Sequence, residues 1–295
     1  MLFTPLFLTL PINIVDFYRN PCGKCHGSVC LNLQIHSMIM EFWSNINSES
    51  KNQFKELGMA LERTLAKMYL LKDIPELQIR ILNDRCRWRN FEQGELILNL
   101  NDKSTDVYFI VQGEVRVTVF SESGRRVIMN DLKPGEHFGE YAAIDGEPRS
   151  ATIVAMNRTV VAQMSSEIFN ALLVEHPFLA LIVMRSMVSV IRTLNERVVE
   201  FSTLGVKDRI HAELLRLAHA GRIVEGAGRI SPPPTHAEIA SRISTHREAV
   251  TRELKQLERQ GVIEKTKGSI VIKDIEKFER LVSNARAGKT DKLFN

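Results

Sequence analysis

Asp106-Val-Tyr-Phe-Ile-Val-Gln-Gly-Glu-Val-Arg-Val-Thr-Val119 reads as two short strands hinged at Gly113. After the glycine, Val115, Val117 and Val119 alternate with Glu114, Arg116 and Thr118. A period of two marks a strand with one face in a core and the other in water. Gly94, Gly113, Gly124, Gly135, Gly139 and Gly146 punctuate the region from about Phe91 to Met164. Many short strands broken by glycine predict a small β-barrel or jelly roll.

Further along, the period changes. Met184, Met187, Ile191, Leu194, Val198 and Phe201 are spaced 3, 4, 3, 4, 3, with Arg185, Arg192, Glu196, Arg197 and Glu200 beside them. A seam this narrow predicts a long helix, about Phe178 to Leu204, paired with the same helix of a second copy. Packing on its own barrel would call for a wider apolar stripe. Ile210, Leu214, Leu215, Leu217 and Ala218 then mark another helix, and Gly221 to Pro234 reads as a loop. Thr235-His-Ala-Glu238 and Thr245-His-Arg-Glu248 both have the form of a capping box opening a helix. Ala240, Ile243, Val250, Leu254 and Leu257 supply the inner face of this pair. Val262-Ile-Glu-Lys265 and Ser269-Ile-Val-Ile272 flank Lys267-Gly268 as a hairpin. Two short helices and a hairpin make a winged helix-turn-helix. The expected architecture is α+β. It has an extension without period over 1–58, a barrel over 59–177, a dimerisation helix over 178–205, a winged helix-turn-helix over 206–283 and a tail over 284–295.

The 295 residues carry a net charge of +4, unevenly distributed. From Val206 onward 18 Lys and Arg stand against 12 Asp and Glu, a net +6, and the remainder carries −2. A polyanion would be met by the last third. The apolar start from Met1 to Val15 lacks a basic flank and is broken by Pro5 and Pro11, and no later segment reaches spanning length free of charges. Neither a signal peptide nor a membrane span is expected, and a cytoplasmic protein fits. No Gly-Lys-Ser/Thr loop, His-Glu-x-x-His helix or nucleophile elbow is present, so no enzyme is expected.

From about Leu61 to Val282 the chain resembles the family of the cAMP receptor protein and the fumarate–nitrate regulators. One signature is Pro134-Gly-Glu-His-Phe-Gly-Glu-Tyr-Ala-Ala-Ile-Asp-Gly-Glu-Pro-Arg-Ser-Ala151, which is similar to the phosphate-binding cassette of cyclic-nucleotide domains. The other is His246-Arg-Glu-Ala-Val-Thr-Arg252, similar to the family's DNA-reading helix. Arg247 and Thr251 lean towards the cAMP-receptor branch. The resemblance implies a cyclic nucleotide, cAMP or cGMP, held by Gly139, Glu140, Tyr141, Ala142, Arg149 and Ser150. The chemistry agrees: Arg149 offers a fork of donors to a phosphodiester, Glu140 can accept from a ribose 2′-hydroxyl, and Gly139 lets the backbone come close. A plain Glu140–Arg149 salt bridge in a ligand-free barrel is the alternative. Leu194 and Asn195 align with the adenine-contacting positions of the cAMP receptor protein. Asn195 can meet a 6-amino or a 6-oxo purine edge, whereas Leu194 also fits the seam.

For DNA, the resemblance implies a TGTGA-like half-site in an inverted repeat. Thr245, His246, Arg247, Glu248, Thr251 and Arg252 form the reading end of the helix, and arginine is suited to guanine O6 and N7. Lys255 and Lys267, with Arg242 and Lys265, are candidate phosphate contacts. Glu248 can equally serve the helix cap, and each lysine can equally be solvated surface. The implied partners are double-stranded DNA, a second copy of the chain and RNA polymerase, with no polymerase contact carried over to the loop at Gly221 to Pro234. A regulator without nucleotide, or a nucleotide sensor acting on a protein, is the alternative. Cys22, Cys25, Cys30 and Cys86 have the count of an iron–sulfur site, and His26 or His36 could complete a zinc site. Their spacing is not that of the fumarate–nitrate regulators, and no metal is expected.

Overall fold

The computed structural model describes residues 63–122 and 124–288. The extension over 1–58 with Cys22, Cys25 and Cys30, and the tail beyond residue 288, lie outside the described residues. Two 3-10 turns, Leu65–Lys67 and Tyr69–Leu71, and helix α1 (Glu76–Arg85) precede strands β1 (Arg87–Phe91) and β2 (Leu96–Leu98). Then come β3 (Val107–Gln112), β4 (Val115–Phe120), β5 (Arg126–Leu132), β6 (His137–Phe138), helix α2 (Glu140–Asp145), β7 (Thr152–Ala155) and β8 (Thr159–Met164). Two antiparallel sheets, β1-β8-β3-β6 and β2-β7-β4-β5, form the jelly roll. Gly113 turns β3 into β4 with φ +84, and a Cβ there would lie 2.5 Å from the Arg158 carbonyl oxygen, so only glycine fits.

β3 carries two cores at once. Val107 and Phe109 pack with Leu65, Met68, Phe169 and Leu179, while Tyr108 and Ile110 pack with Leu98, Val115, Phe138 and Val161. Burial on both faces is why it reads as an apolar run instead of an alternation. β4 departs differently. Val115 is buried as the alternation requires, but Arg116 on the other face is only 8% exposed. The C-terminal domain covers it.

Helix α3 (Ser166–Glu175) is capped by the Ser165 hydroxyl, which accepts from the Ile168 amide. Helix α4 (Pro177–Thr203) follows, with proline in its first turn, where a missing N–H is harmless. Leu179 and Val183 hold its start against the barrel helices. Beyond them the seam is open, with Ile191 54% and Val198 63% exposed.

The last domain runs α5 (Val206–Ala220), β9 (Arg222–Val224), β10 (Ala227–Ile230), α6 (His236–Arg242), α7 (Arg247–Arg259), β11 (Ile263–Thr266), β12 (Ser269–Ile272) and α8 (Ile275–Arg286). Ile210, Leu214, Ile239, Val250, Leu254, Ile272 and Phe278 form its core. The capping box of α6 is present: the Glu238 amide donates to Thr235 Oγ1 at 3.2 Å and the Thr235 amide to Glu238 Oε2 at 2.7 Å.

Two expectations are corrected. The stretch Gly221 to Pro234 is not all loop, because β9 and β10 form a hairpin over Glu225-Gly226, both with positive φ, and β10 pairs with β12. Strands this short leave too little alternation to recognise. The second capping box does not form. The Thr245 amide closes α6 on the Ala240 carbonyl oxygen at 2.9 Å, so Thr245 belongs to the turn. His246 becomes the N-cap without a side-chain cap, and Glu248 falls one position early.

Candidate functional sites in the barrel and the helix-turn-helix

In the barrel, α2 begins at Gly139, whose φ of +89 and close surroundings exclude a side chain. A Cβ would lie 2.8 Å from both Arg149 Nη1 and the Asp106 carbonyl oxygen. Arg149 is 3% exposed. Its Nε donates to Ser104 Oγ at 3.1 Å, Nη1 to the Gly139 carbonyl at 2.8 Å and Nη2 to the Asp106 carbonyl at 2.7 Å. Its guanidinium also lies over the Tyr108 ring, 5.9 Å from the centroid, and that ring stacks on Phe138. All three hydrogen-bond acceptors are neutral. Among the described residues no carboxylate forms an ion pair with Arg149, so the simple Glu140–Arg149 bridge is not what fixes it.

Burial lowers the Arg149 pKa, with Tyr108, Asp106, Asp102 and Glu140 acting against it. Burial likewise pushes the Glu140 carboxyl up, opposed by its own backbone amide and by Arg149. A guanidinium with five N–H groups has two left after these three bonds, and a buried guanidinium with no bonded carboxylate favours an arriving anion. Of the other expected residues, Tyr141 and Ser150 are exposed and Ala142 is buried. Leu194 and Asn195 are exposed on α4, and no hydrogen bond ties either to this site in the described chain. Ser104 and Asp106, which hold Arg149 in place, went unnoticed in the sequence; no local motif marks them.

In the helix-turn-helix, His246, Arg247, Glu248, Arg252 and Lys255 are exposed at the start and along one side of α7, and Lys267 is exposed at the hairpin tip. Thr251 is occupied: its hydroxyl donates to the Arg247 carbonyl at 3.0 Å and lies 2.8 Å from His236 Nδ1, joining α7 to α6. Lys265 pairs with Glu258 at 3.4 Å. Arg242 is buried, hydrogen-bonded to Asp131 of the barrel and close to Glu213, and is not free for a phosphate.

A family model described as "Cyclic nucleotide-binding domain" matches residues 88–176, and one described as "Crp-like helix-turn-helix domain" matches residues 208–281. The chain belongs to the Crp/Fnr family. Among curated relatives, the cAMP-activated global transcriptional regulator CRP of Salmonella typhimurium is 28% identical over 63% of this chain and 90% of its own length. The CRP-like cAMP-activated global transcriptional regulator of Mycobacterium tuberculosis is 22% identical over 75% and 99%. In fold, this Crp/Fnr chain is similar to a CooA mutant from Carboxydothermus hydrogenoformans, with a TM-score of 0.61 and 19% identity over 69% of this chain and 90% of that one. It is also similar to FixK2 from Bradyrhizobium japonicum, with a TM-score of 0.58 and 20% identity over 66% and 96%. A cyclic-nucleotide domain joined to a Crp-like helix-turn-helix makes this Crp/Fnr protein a transcription regulator.

Proposed function

We propose that this regulator is a cytoplasmic homodimer that binds a purine cyclic mononucleotide, cAMP or cGMP, in the barrel. Through α7 it reads a TGTGA-like inverted repeat, and it acts on RNA polymerase. The observation that carries the ligand is Arg149, buried, held by three neutral acceptors and in no ion pair among the described residues. A phosphodiester would supply a bonded anion. Glu140, in the first turn of α2, supports the reading as an acceptor for a ribose hydroxyl, and the Salmonella and Mycobacterium relatives are named as cAMP-activated. Calorimetry of the full-length protein with cAMP and with cGMP tests this. One of them should give a heat of binding, and silence with both removes the ligand assignment.

The dimer rests on α4. By length and composition alone this helix is apolar enough to cross a bilayer. Arg185 and Arg192 interrupt it, however, and Glu200 at its end is bound by Arg216 and Arg286. A narrow seam ending in fixed charges suits a partner helix better than lipid. The double substitution Ile191→Glu, Val198→Glu places carboxylates in that seam and should give monomers by light scattering. An unchanged mass would move the interface elsewhere.

A further inference from the structure

His236, the first residue of α6, is tied to α7. Its Nδ1 lies 2.8 Å from Thr251 Oγ1, and that hydroxyl lies 3.0 Å from the Arg247 carbonyl oxygen. A carbonyl oxygen only accepts, so the single Thr251 hydroxyl proton goes to it. The hydroxyl oxygen must then accept from His236, which puts the proton of the neutral ring on Nδ1. Nε2 is left with a bare lone pair. It makes no hydrogen bond among the described residues and is not shut away from solvent. Arg247, Thr251 and Lys255 follow one another at single-turn intervals on one side of α7, with Arg247 and Lys255 exposed, so the ring stands beside a row of cations. The charged groups that face it from the elements packed against it are Arg247 of α7 and Lys265 of β11, both positive. Glu258 stands behind Lys265, 3.4 Å from it. Burial, Lys265 and Arg247 lower the His236 pKa below its usual 6.5, so near neutral pH the ring of the free protein is uncharged.

We propose that His236 binds a DNA phosphate through Nε2 and takes up a proton from solvent as it does so. In a helix-turn-helix the first helix crosses the DNA backbone while the start of the second meets base edges. A ring at the start of α6, tied through Thr251 to the Arg247 turn of α7, lies where those two contacts adjoin. The neutral ring offers a phosphate oxygen nothing, because Nε2 and the oxygen are both acceptors. The imidazolium donates from both nitrogens. Nδ1 keeps its bond to Thr251, and Nε2 makes a charge-assisted bond to the phosphate. Arg247 and Lys265 oppose this second proton in the free protein, and the phosphate supplies the negative charge that reverses the balance. One proton per protomer is taken up on binding and returned on release. Affinity therefore rises as pH falls through the range where the bound ring is charged and the free ring is not, and it levels off once both are charged. Arginine and lysine contacts keep their charge across this range and give no such response. This inference rests on the reading of α7 as the DNA-binding helix.

The test is the affinity of the full chain for a labelled duplex of mixed sequence at fixed salt, measured at about pH 8 and about pH 6. Wild type should bind about tenfold more tightly per protomer at the lower pH, the effect of a one-unit rise in pKa on binding. Its salt dependence there should be steeper by about 0.9 per protomer. His236→Gln should bind at both pH values as wild type does at the higher one, and His236→Arg as wild type does at the lower. His246→Gln, whatever its affinity, should keep the wild-type ratio between the two pH values. Thr251→Val, which cannot accept from Nδ1, should shrink that ratio, and Thr251→Ser should restore it. A wild-type ratio in His236→Gln overturns the proposal, as does tight binding by wild type that ignores pH; both leave the reading of α7 standing. Absence of duplex binding by wild type at either pH overturns the contact and the reading of α7 together. The ring nitrogen shifts of His236, read by NMR without DNA, judge the geometry apart from binding. They should place the proton of the neutral ring on Nδ1, and a proton on Nε2 overturns the proposal.

Discussion

Arg149 in the barrel site and Arg116 beneath α6 are both almost fully buried, and they are satisfied in opposite ways. Arg149 donates to a hydroxyl and two carbonyl oxygens, whereas Arg116 donates to the carboxylates of Asp131 and Glu238. Burial lowers the pKa of Arg149. Burial acts on Arg116 too, but its hydrogen bonds to Asp131 and Glu238 overcome that effect and raise its pKa. Neutral acceptors fix the direction of a guanidinium without pairing it with a carboxylate; carboxylates bonded to the guanidinium already fill the place an arriving anion would take. In the proposed function the first region receives its anion from outside. The second has found its anions inside the protein.

The largest effect expected from this difference is on ligand binding. Arg149→Leu should lower cyclic-nucleotide affinity by at least about 100-fold, the scale of breaking a buried charge pair, while the ligand-free melting temperature holds or rises. Arg116→Leu should do the reverse, leaving nucleotide affinity within a few-fold. Asp131 and Glu238 would lose a buried partner, at a cost of about 1–3 kcal/mol in calorimetric stability. If the two variants behave alike, the contrast is broken.

The same distinction separates arginines within the helix-turn-helix. Arg242 is buried against Asp131, whereas Arg247 is exposed and has no carboxylate partner among the described residues. Arg247→Ala should cost about 1–3 kcal/mol per half-site and relax the preference at one base pair, read by binding-site selection at fixed salt. Lys267→Ala, at the hairpin tip, should keep the wild-type motif and weaken all sequences alike, with a shallower salt dependence. An unchanged motif for Arg247→Ala would make it a phosphate clamp.

The smallest effects are in the pH response of stability. Burial disfavours the Glu238 carboxylate, but Arg116 and Thr235 together hold its pKa from 4.5 down to about 2. With Arg116 withdrawn it binds protons more readily, so the docked contact is fully stabilised above pH 4.5 and weakens as pH falls towards 2. His137 is pushed from 6.5 to about 4 by burial. The unfolded chain then binds more protons across that window, and barrel stability is complete above pH 6.5 and declines as pH falls towards 4. Thermal melts at stepped pH should show this decline, and His137→Phe should flatten it while leaving the lower-pH loss of docking in place.

Local chemistry was legible in the sequence; contacts between distant segments were not. The α6 capping box, the long helix α4 and the pairing of β11 with β12 each depend on residues a few positions apart, and each appears in the structure. Gly139 and Arg149 were marked by their cassette, and they meet at 2.8 Å. Thr245 misled, since its fate was set by the amide bond to Ala240 across the turn and not by Glu248. Arg116 misled more deeply. Alternation along β4 gave it an outward face, and no residue near it announces that Glu238, 122 positions later, lies there. Ser104 and Asp106 are similar: their work is to orient Arg149, and that depends on how the barrel closes.

The sharing of β3 between two cores has a consequence for how the N-terminal domain comes apart. Val107 and Phe109 belong with the helices, and Tyr108 and Ile110 with the barrel interior. Neither layer can melt and leave the strand in place, because its departure strips the other layer of a buried face. The helices and the jelly roll therefore form a single cooperative unit, and a destabilising change in either is felt by both.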